Sequence, residues 1–220
     1  MSELRRFANR RQAGIALARS LSRYANRADV VVLALPRGGV PVGHEVAHAL
    51  GAPLDVFVVR KLGVPGHREL AMGAIASGGV RVLNVPVIRA CRVPPEVIEE
   101  IAAEEEQELV RREQAYRGAH PPIDIKGKAV ILVDDGLATG ATMKAAVQAA
   151  RLLSPARVIV AVPVGAGETC HDLSDLADEM VCLYTPASFE AVSQCYLDFR
   201  ETSDDEVRAL LADSPAQRGT

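Results

Sequence analysis

Aromatic side chains are scarce in this sequence: no Trp, four Phe and four Tyr among 220 residues. A flat ligand would find few rings to stack on. The four cysteines, Cys91, Cys170, Cys182 and Cys195, lie far apart with no CxxC pair. That spacing excludes a zinc ribbon and a disulfide scaffold. No run of about 18 apolar residues occurs, so no membrane-spanning helix is expected. The opening MSELRRFANRRQ lacks the apolar core of a signal peptide, and the expectation is a soluble cytoplasmic protein with no membrane partner. Excess positive charge is missing too: Lys+Arg 25 against Asp+Glu 28 leaves −3. The basic cluster Arg5, Arg6, Arg10 and Arg11 carries no motif and reads as a solvated helix end, so nucleic acid is not an expected partner.

What is present suffices for one good core, at 49% hydrophobic residues. Short, continuous aliphatic runs occupy 30–36, 54–62, 129–135, 157–165 and 180–185. Such runs suit strands covered on both faces. Helical patterns fall between them, at 40–51, 141–154 and 168–177, with a further helix over about 10–24. The alternation predicts a single α/β domain over 1–220, an open, mainly parallel five-stranded sheet flanked by helices. An insertion spans 63–118. Its first part, 63–93, is rich in Gly and Pro and reads as a lid or binding loop. Its second part, 94–118, reads as one helix with Pro at the start, Gly at the end and i,i+4 pairs Glu108–Arg112 and Glu113–Arg117. The charges of that helix are expected to form a solvated face. A small C-terminal lid covers 184–220, ending in a helix capped by Ser203 with Glu206 three residues on.

The stretch VILVDDGLATGATM, residues 130–143, carries the chemistry. Ligands of an open parallel sheet bind beyond the carboxyl ends of its strands, where Asp134 and Asp135 stand. Adjacent carboxylates repel, so they make sense if something donates hydrogen bonds to them, as the vicinal hydroxyls of a ribose would. The following turn offers backbone N–H groups, two hydroxyls and a helix N-terminus, which suit a phosphate. The competing reading is a plain strand-end turn with Asp135 and Thr139 capping the next helix. No Lys directly follows the second Gly of GLATGATMK, so a Walker loop is disfavoured.

This stretch resembles the phosphoribosyl-pyrophosphate signature of the type I phosphoribosyltransferases. The resemblance implies that Asp134 and Asp135 hold the ribose hydroxyls. It implies that Gly136, Ala138, Thr139, Gly140, Ala141 and Thr142 take the ribose 5-phosphate. LPRGGVPVG, residues 35–43, is similar to the family's pyrophosphate loop, which would bring the backbone of Arg37, Gly38 and Gly39 against the diphosphate. Arg60-Lys61 falls where the family often keeps a basic residue for pyrophosphate, and Lys61 is the candidate. Segment 63–85, with Arg68 and Glu69, falls at the family's flexible catalytic loop. The family implies transfer of a 5-phosphoribosyl group from phosphoribosyl pyrophosphate, with Mg2+ arriving on the diphosphate, to a small-molecule acceptor whose identity is open and which is expected to be a nitrogenous base. Asp134, Asp135 and Lys61 would be the catalytic residues. No base-binding motif of the adenine, hypoxanthine, uracil or orotate enzymes is recognisable. A homodimer is compatible with this reading, and so is a second function, a phosphoribosyl-pyrophosphate sensor without catalysis.

HEVAHALG, residues 44–51, contains HExxH, the pattern of a zinc hydrolase. The pattern needs a third ligand, and the extended version wants His where Leu54 stands. At 3.6 residues per turn His44 and His48 lie opposite the apolar stripe, so both are expected to face water, and no resident metal site is expected. Half of the eight aromatic residues, Tyr184, Phe189, Tyr196 and Phe199, fall between 184 and 199. Tyr184 and Phe189 are candidates to stack on a ring acceptor, unless these rings simply pin the lid to the core.

Overall fold

The computed structural model describes residues 6–118 and 120–214, apart from the side chain of Arg68. Arg5 and the last six residues of the C-terminal lid lie outside the described residues. The elements run in order α1 (Arg10–Ser20), β1 (Val30–Ala34), α2 (Gly39–Leu50), β2 (Leu54–Val56), β3 (Val59–Val64), β4 (His67–Ala76), β5 (Val80–Leu83) and α3 (Val85–Cys91). They continue with α4 (Pro95–Arg117), β6 (Ala129–Val133), α5 (Ala141–Leu152), β7 (Arg157–Val164), α6 (Gly167–Ser174), β8 (Glu179–Tyr184) and α7 (Asp204–Ala212).

Five strands form a parallel sheet in the order β2-β1-β6-β7-β8. All of β1 and β6 is buried, as a sheet covered on both faces demands. Side chains alternate between the faces. Val30, Val32, Ala34, Ile131, Val133 and Ile159 point into one core with Leu17, Val46 and Val207. Val31, Leu33, Val130, Leu132, Val158 and Val160 point into a second with Met143, Val147 and Leu173. Helices α1, α2, α4 and α7 therefore cover one face, and α5 and α6 the other.

The run 54–62, expected as one strand, is two. Leu54–Val56 pairs with β1, and Phe57 N still reaches Ala34 O at 2.9 Å. At Val58 the chain leaves the sheet: its N–H donates to Ser77 Oγ, and from Val59 it pairs antiparallel with β4. Segment 63–85, expected as an irregular flexible loop, is antiparallel sheet, β3-β4-β5, with tight turns at Pro65-Gly66 and Ser77–Gly79. Its Gly and Pro residues supply turns; β3 and β5 are short and largely half-buried, while the longer β4 is buried over 72–76.

Helix α4 lies against this hairpin, burying Ile98, Ala102, Leu109 and Tyr116. Its charges are not all solvated. Arg117, only 7% exposed, pairs with Glu113 at 2.8 Å and with Asp55 of β2 at 2.7 Å, and donates to Val56 O. The C-terminal helix α7 starts at Ser203, whose hydroxyl accepts the Glu206 N–H at 3.1 Å. Just beyond its end, Ser214 Oγ accepts the N–H of Leu54 and so blunts the edge strand. No helix among the described residues is long and apolar enough to cross a membrane.

Candidate active site

Strands β1 and β6 are in register, with Ala34 opposite Val133, so the segments that leave their carboxyl ends run side by side. Leu35 N donates to Val133 O at 2.9 Å, which carries the pairing one step beyond the strand. The Pro36–Arg37 peptide is cis. The turn Arg37–Gly39 then presses against the acids. A Cβ on Gly38 would run into Asp135 Oδ2, and one on Gly39 would stand 2.7 Å from Val133 O and 3.0 Å from Asp134 Cα. Only backbone without side chains fits there.

The loop after the acids is anchored on its other side by β7. Leu137 N donates to Val164 O and Ala166 N to Leu137 O, both at 2.9 Å. Thr169 of α6 donates its hydroxyl to Ala138 O at 2.7 Å. Gly140 is left-handed, with φ 68°, and a Cβ there would strike Thr169 Cγ2. Ala138, Thr139, Ala141 and Thr142 are exposed around it. No side chain among the described residues caps the N-terminus of α5, which leaves its first-turn N–H groups available to an anion. Gly136 has a different place. It is buried against Val164 and Val192, under the C-terminal segment.

The carboxylates are not alone. Arg10, at the start of α1, places Nε 2.7 Å from Asp135 Oδ2, donates to Arg200 O and lies 3.9 Å above the ring of Phe199. Tyr196 donates its hydroxyl to Asp135 O at 2.6 Å. Asp134 Oδ1 accepts the Asp135 N–H at 2.8 Å. Burial pushes the Asp134 carboxyl well above the usual range, and the charge of Asp135 pushes it further. Burial also raises Asp135, against the pull of Arg10. The Tyr196 hydroxyl is raised by burial and by Asp135.

Arg10, Tyr196 and Thr169 are the site residues that sequence reading misses. Arg10 reads as part of a solvated helix end, yet its side chain is 12% exposed and packed. Nothing local could reveal this, since its carboxylate partner is 125 residues away.

The remaining candidates spread around this centre. Arg37 is held by Glu201 and approaches Asp204 at 3.9 Å. Arg60 and Lys61 alternate on β3. Arg60 turns to Glu105 of α4 at 2.6 Å, while the exposed Lys61 lines a cleft of about 550 Å³ with Ala141 and Lys144 of α5. Lys61 is thus brought beside the loop that follows the acid pair. Glu69 is exposed near the tip of the hairpin. Tyr184 and Phe189 are half-buried against Phe7, Cys195 and Tyr196, in a small core that ties the N-terminal segment to the C-terminal one.

The HExxH pattern assembles no zinc site among the described residues, where no three His, Cys, Asp or Glu side chains are placed to hold a metal ion. The rings of His44 and His48 stack 6.5 Å apart. His48 is exposed as expected, but His44 is covered by α7 and lies 3.3 Å from Asp213.

A family model described as Phosphoribosyl transferase domain matches residues 1–200. The chain belongs to this family. A Mycobacterium tuberculosis protein provisionally named a phosphoribosyl transferase is 49% identical over 205 residues, 93% of this chain and 46% of the relative. The chain thus spans about half the length of that relative. The Bifunctional protein PyrR of Chloroflexus aurantiacus is 34% identical over 134 residues, 60% of this chain and 68% of the relative. The crystal structure of TT1426 from Thermus thermophilus superposes with a TM-score of 0.85 at 44% identity, covering 95% of this chain and 99% of that one. In a phosphoribosyl transferase domain, the convergence of Gly38, Gly39, the acid pair and the uncapped α5 on one strand end is the feature to explain.

Proposed function

We propose that the chain binds 5-phosphoribosyl pyrophosphate with Mg2+ and transfers the 5-phosphoribosyl group to a ring-nitrogen acceptor. The observation that carries this reading is the acid pair flanked on one side by side-chain-free backbone and on the other by an uncapped helix N-terminus. In this reading Asp134 and Asp135 accept the ribose hydroxyls, and Ala138–Thr142 with the first turn of α5 takes the 5-phosphate. Arg37, Gly38 and Gly39 face the diphosphate, which Lys61 approaches from the hairpin. Arg68 and Glu69 on β4 belong to the cover over the site. The acceptor ring lies against the C-terminal lid, where Tyr184 and Phe189 offer faces. Catalysis is electrostatic. The C1–O bond breaks, the diphosphate leaves with the electron pair, and the carboxylates stabilise the positive ribose until the acceptor nitrogen attacks C1 and sheds its proton.

Mg2+ suits this donor set, because it dehydrates reluctantly and takes one or two carboxylates plus phosphate oxygens. Asp134, with no side-chain cation paired to its carboxylate among the described residues, is the residue to hold it. Bound there, it would neutralise charge on the diphosphate.

Binding without catalysis is the second reading, favoured by the Arg10–Asp135 pair, which already occupies one of the two acids. The deciding assay measures pyrophosphate release from 5-phosphoribosyl pyrophosphate and Mg2+ across purines, pyrimidines and other ring amines. The transferase reading expects release with at least one acceptor, and loss of it in the Asp134→Asn, Asp135→Asn double variant. Binding by calorimetry with no release above background for any acceptor selects the second reading, and no binding overturns both.

A further inference from the structure

Two thiols stand directly behind the phosphate loop. Cys170 of α6 and Cys182 of β8 both crowd Gly165, where a Cβ would lie 2.5 Å from Cys170 Sγ and 3.5 Å from Cys182 Sγ. The two sulfurs thus share one neighbourhood beside Gly165, and the Cys182 thiol donates to Tyr184 O at 3.5 Å. Both belong to the same apolar core, with Cys170 buried and Cys182 half-buried, and both are free.

Their position couples them to the loop. Gly165, wedged between the sulfurs, bridges to Leu137, the residue that anchors the loop on β7. Thr169, next to Cys170 in the chain, bonds Ala138 O and closes over Gly140. Leu173, one turn on in α6, also faces Gly140, at 3.7 Å from its would-be Cβ. A movement of α6 of even a few tenths of an ångström is therefore felt at the loop.

We propose that Cys170 and Cys182 are an oxidation site, forming a reversible disulfide that draws α6 onto β8 and loosens Thr169 from the phosphate loop. The bond itself is independent of the reading given above; its effect on ligand binding rests on that reading. Hydrogen peroxide is the oxidant. The Cys170 thiolate attacks a peroxide oxygen, giving a sulfenic acid and hydroxide, which takes up a proton to become water. The Cys182 sulfur then attacks the sulfenic sulfur and a second water leaves with the thiol proton. Two thiols are oxidised and one peroxide is reduced to two waters. The neighbouring Cys182 holds the Cys170 thiol below the usual thiol range despite burial, while Cys170 and burial push the Cys182 thiol up, which favours Cys170 as the attacking sulfur. Disulfides in reducing compartments are typically transient and regulatory.

The test treats the reduced, full chain with peroxide, alkylates the remaining thiols and maps peptides by mass. A Cys170–Cys182 cross-linked peptide is expected, reversed by dithiothreitol and absent in Cys182→Ser and Cys182→Ala. Thiols left free, or oxidised further without a cross-link, overturn the site. The coupling is read in two ways. Ribose 5-phosphate, followed by calorimetry, should bind at least about fivefold more weakly to the oxidised protein, as a coupling of this kind implies. Amide hydrogen exchange over 138–142 should speed up on oxidation with no ligand present. A cross-link with unchanged exchange overturns the coupling. Faster exchange in a protein that never binds ribose 5-phosphate leaves the switch standing and sinks the phosphoribosyl reading.

Discussion

Asp55, Glu113 and Arg117 under the sheet edge, and Asp134, Asp135 and Arg10 at the ends of the central strands, are the same three charges in different geometries. At the edge the arginine touches both acids, and Asp55 also accepts the N–H groups of Val56 and Ile123. Asp55 and Glu113 hold Arg117 above its ordinary range although burial alone would lower it. At the strand ends the arginine reaches only Asp135. Asp134 is left beside a like charge, with one backbone N–H for company. The charges at the sheet edge are matched, whereas those at the strand ends leave one unmatched, as the proposed ligand site requires.

The sharpest way to break this contrast is at the edge. Arg117→Ala strands two buried carboxylates, and should cost about 3–5 kcal/mol of unfolding free energy by urea titration. A loss near zero would mean that the cluster is not structural. The strand-end cluster should respond in the opposite sense. The Asp134 carboxyl binds its proton more tightly in the folded chain than in the unfolded one. Stability therefore falls as pH rises from the unfolded carboxylate value through the raised one. Asp134→Asn should flatten that fall and add about 1 kcal/mol at neutral pH, while lowering affinity for 5-phosphoribosyl pyrophosphate with Mg2+ by about tenfold or more. Parallel pH profiles for parent and variant would contradict the unmatched charge. The smallest effect belongs to an exposed pair of the same chemistry, Arg81 and Glu99. Glu99→Gln should move the urea midpoint by no more than about 0.5 kcal/mol's worth.

What can be read in advance follows the range of the forces involved. Strands β1 and β6 announce themselves because burial on both faces leaves nothing but aliphatic residues in a row, and β7 nearly so. Helix α4 is bounded by Pro95 and Gly118, and its Glu–Arg spacing is local. The acid pair shows because adjacent carboxylates are costly anywhere without a purpose. The apolar run through Phe57 conceals a strand break, since Phe57 and Val58 are equally at home in either sheet. The hairpin reads as loop because the glycines at 66, 78 and 79 look like irregularity when they are its turns. Arg117 matches Glu113 within its helix, yet its deeper partner Asp55 lies 62 residues back. His44 reads as facing water because helical periodicity sees one helix and not α7 laid across it.

Arg10 has a consequence for how the protein comes into being. It holds Asp135 with one nitrogen and Arg200 with another, 190 residues further along the chain. During synthesis the sheet can form strand by strand, but this clamp closes only after nearly the whole domain has left the ribosome. A chain that ended before Arg200 would keep its central strands and lose one of the two holds on the Arg10 guanidinium. On the proposed function, ligand binding would then report completion of the fold, late and all at once.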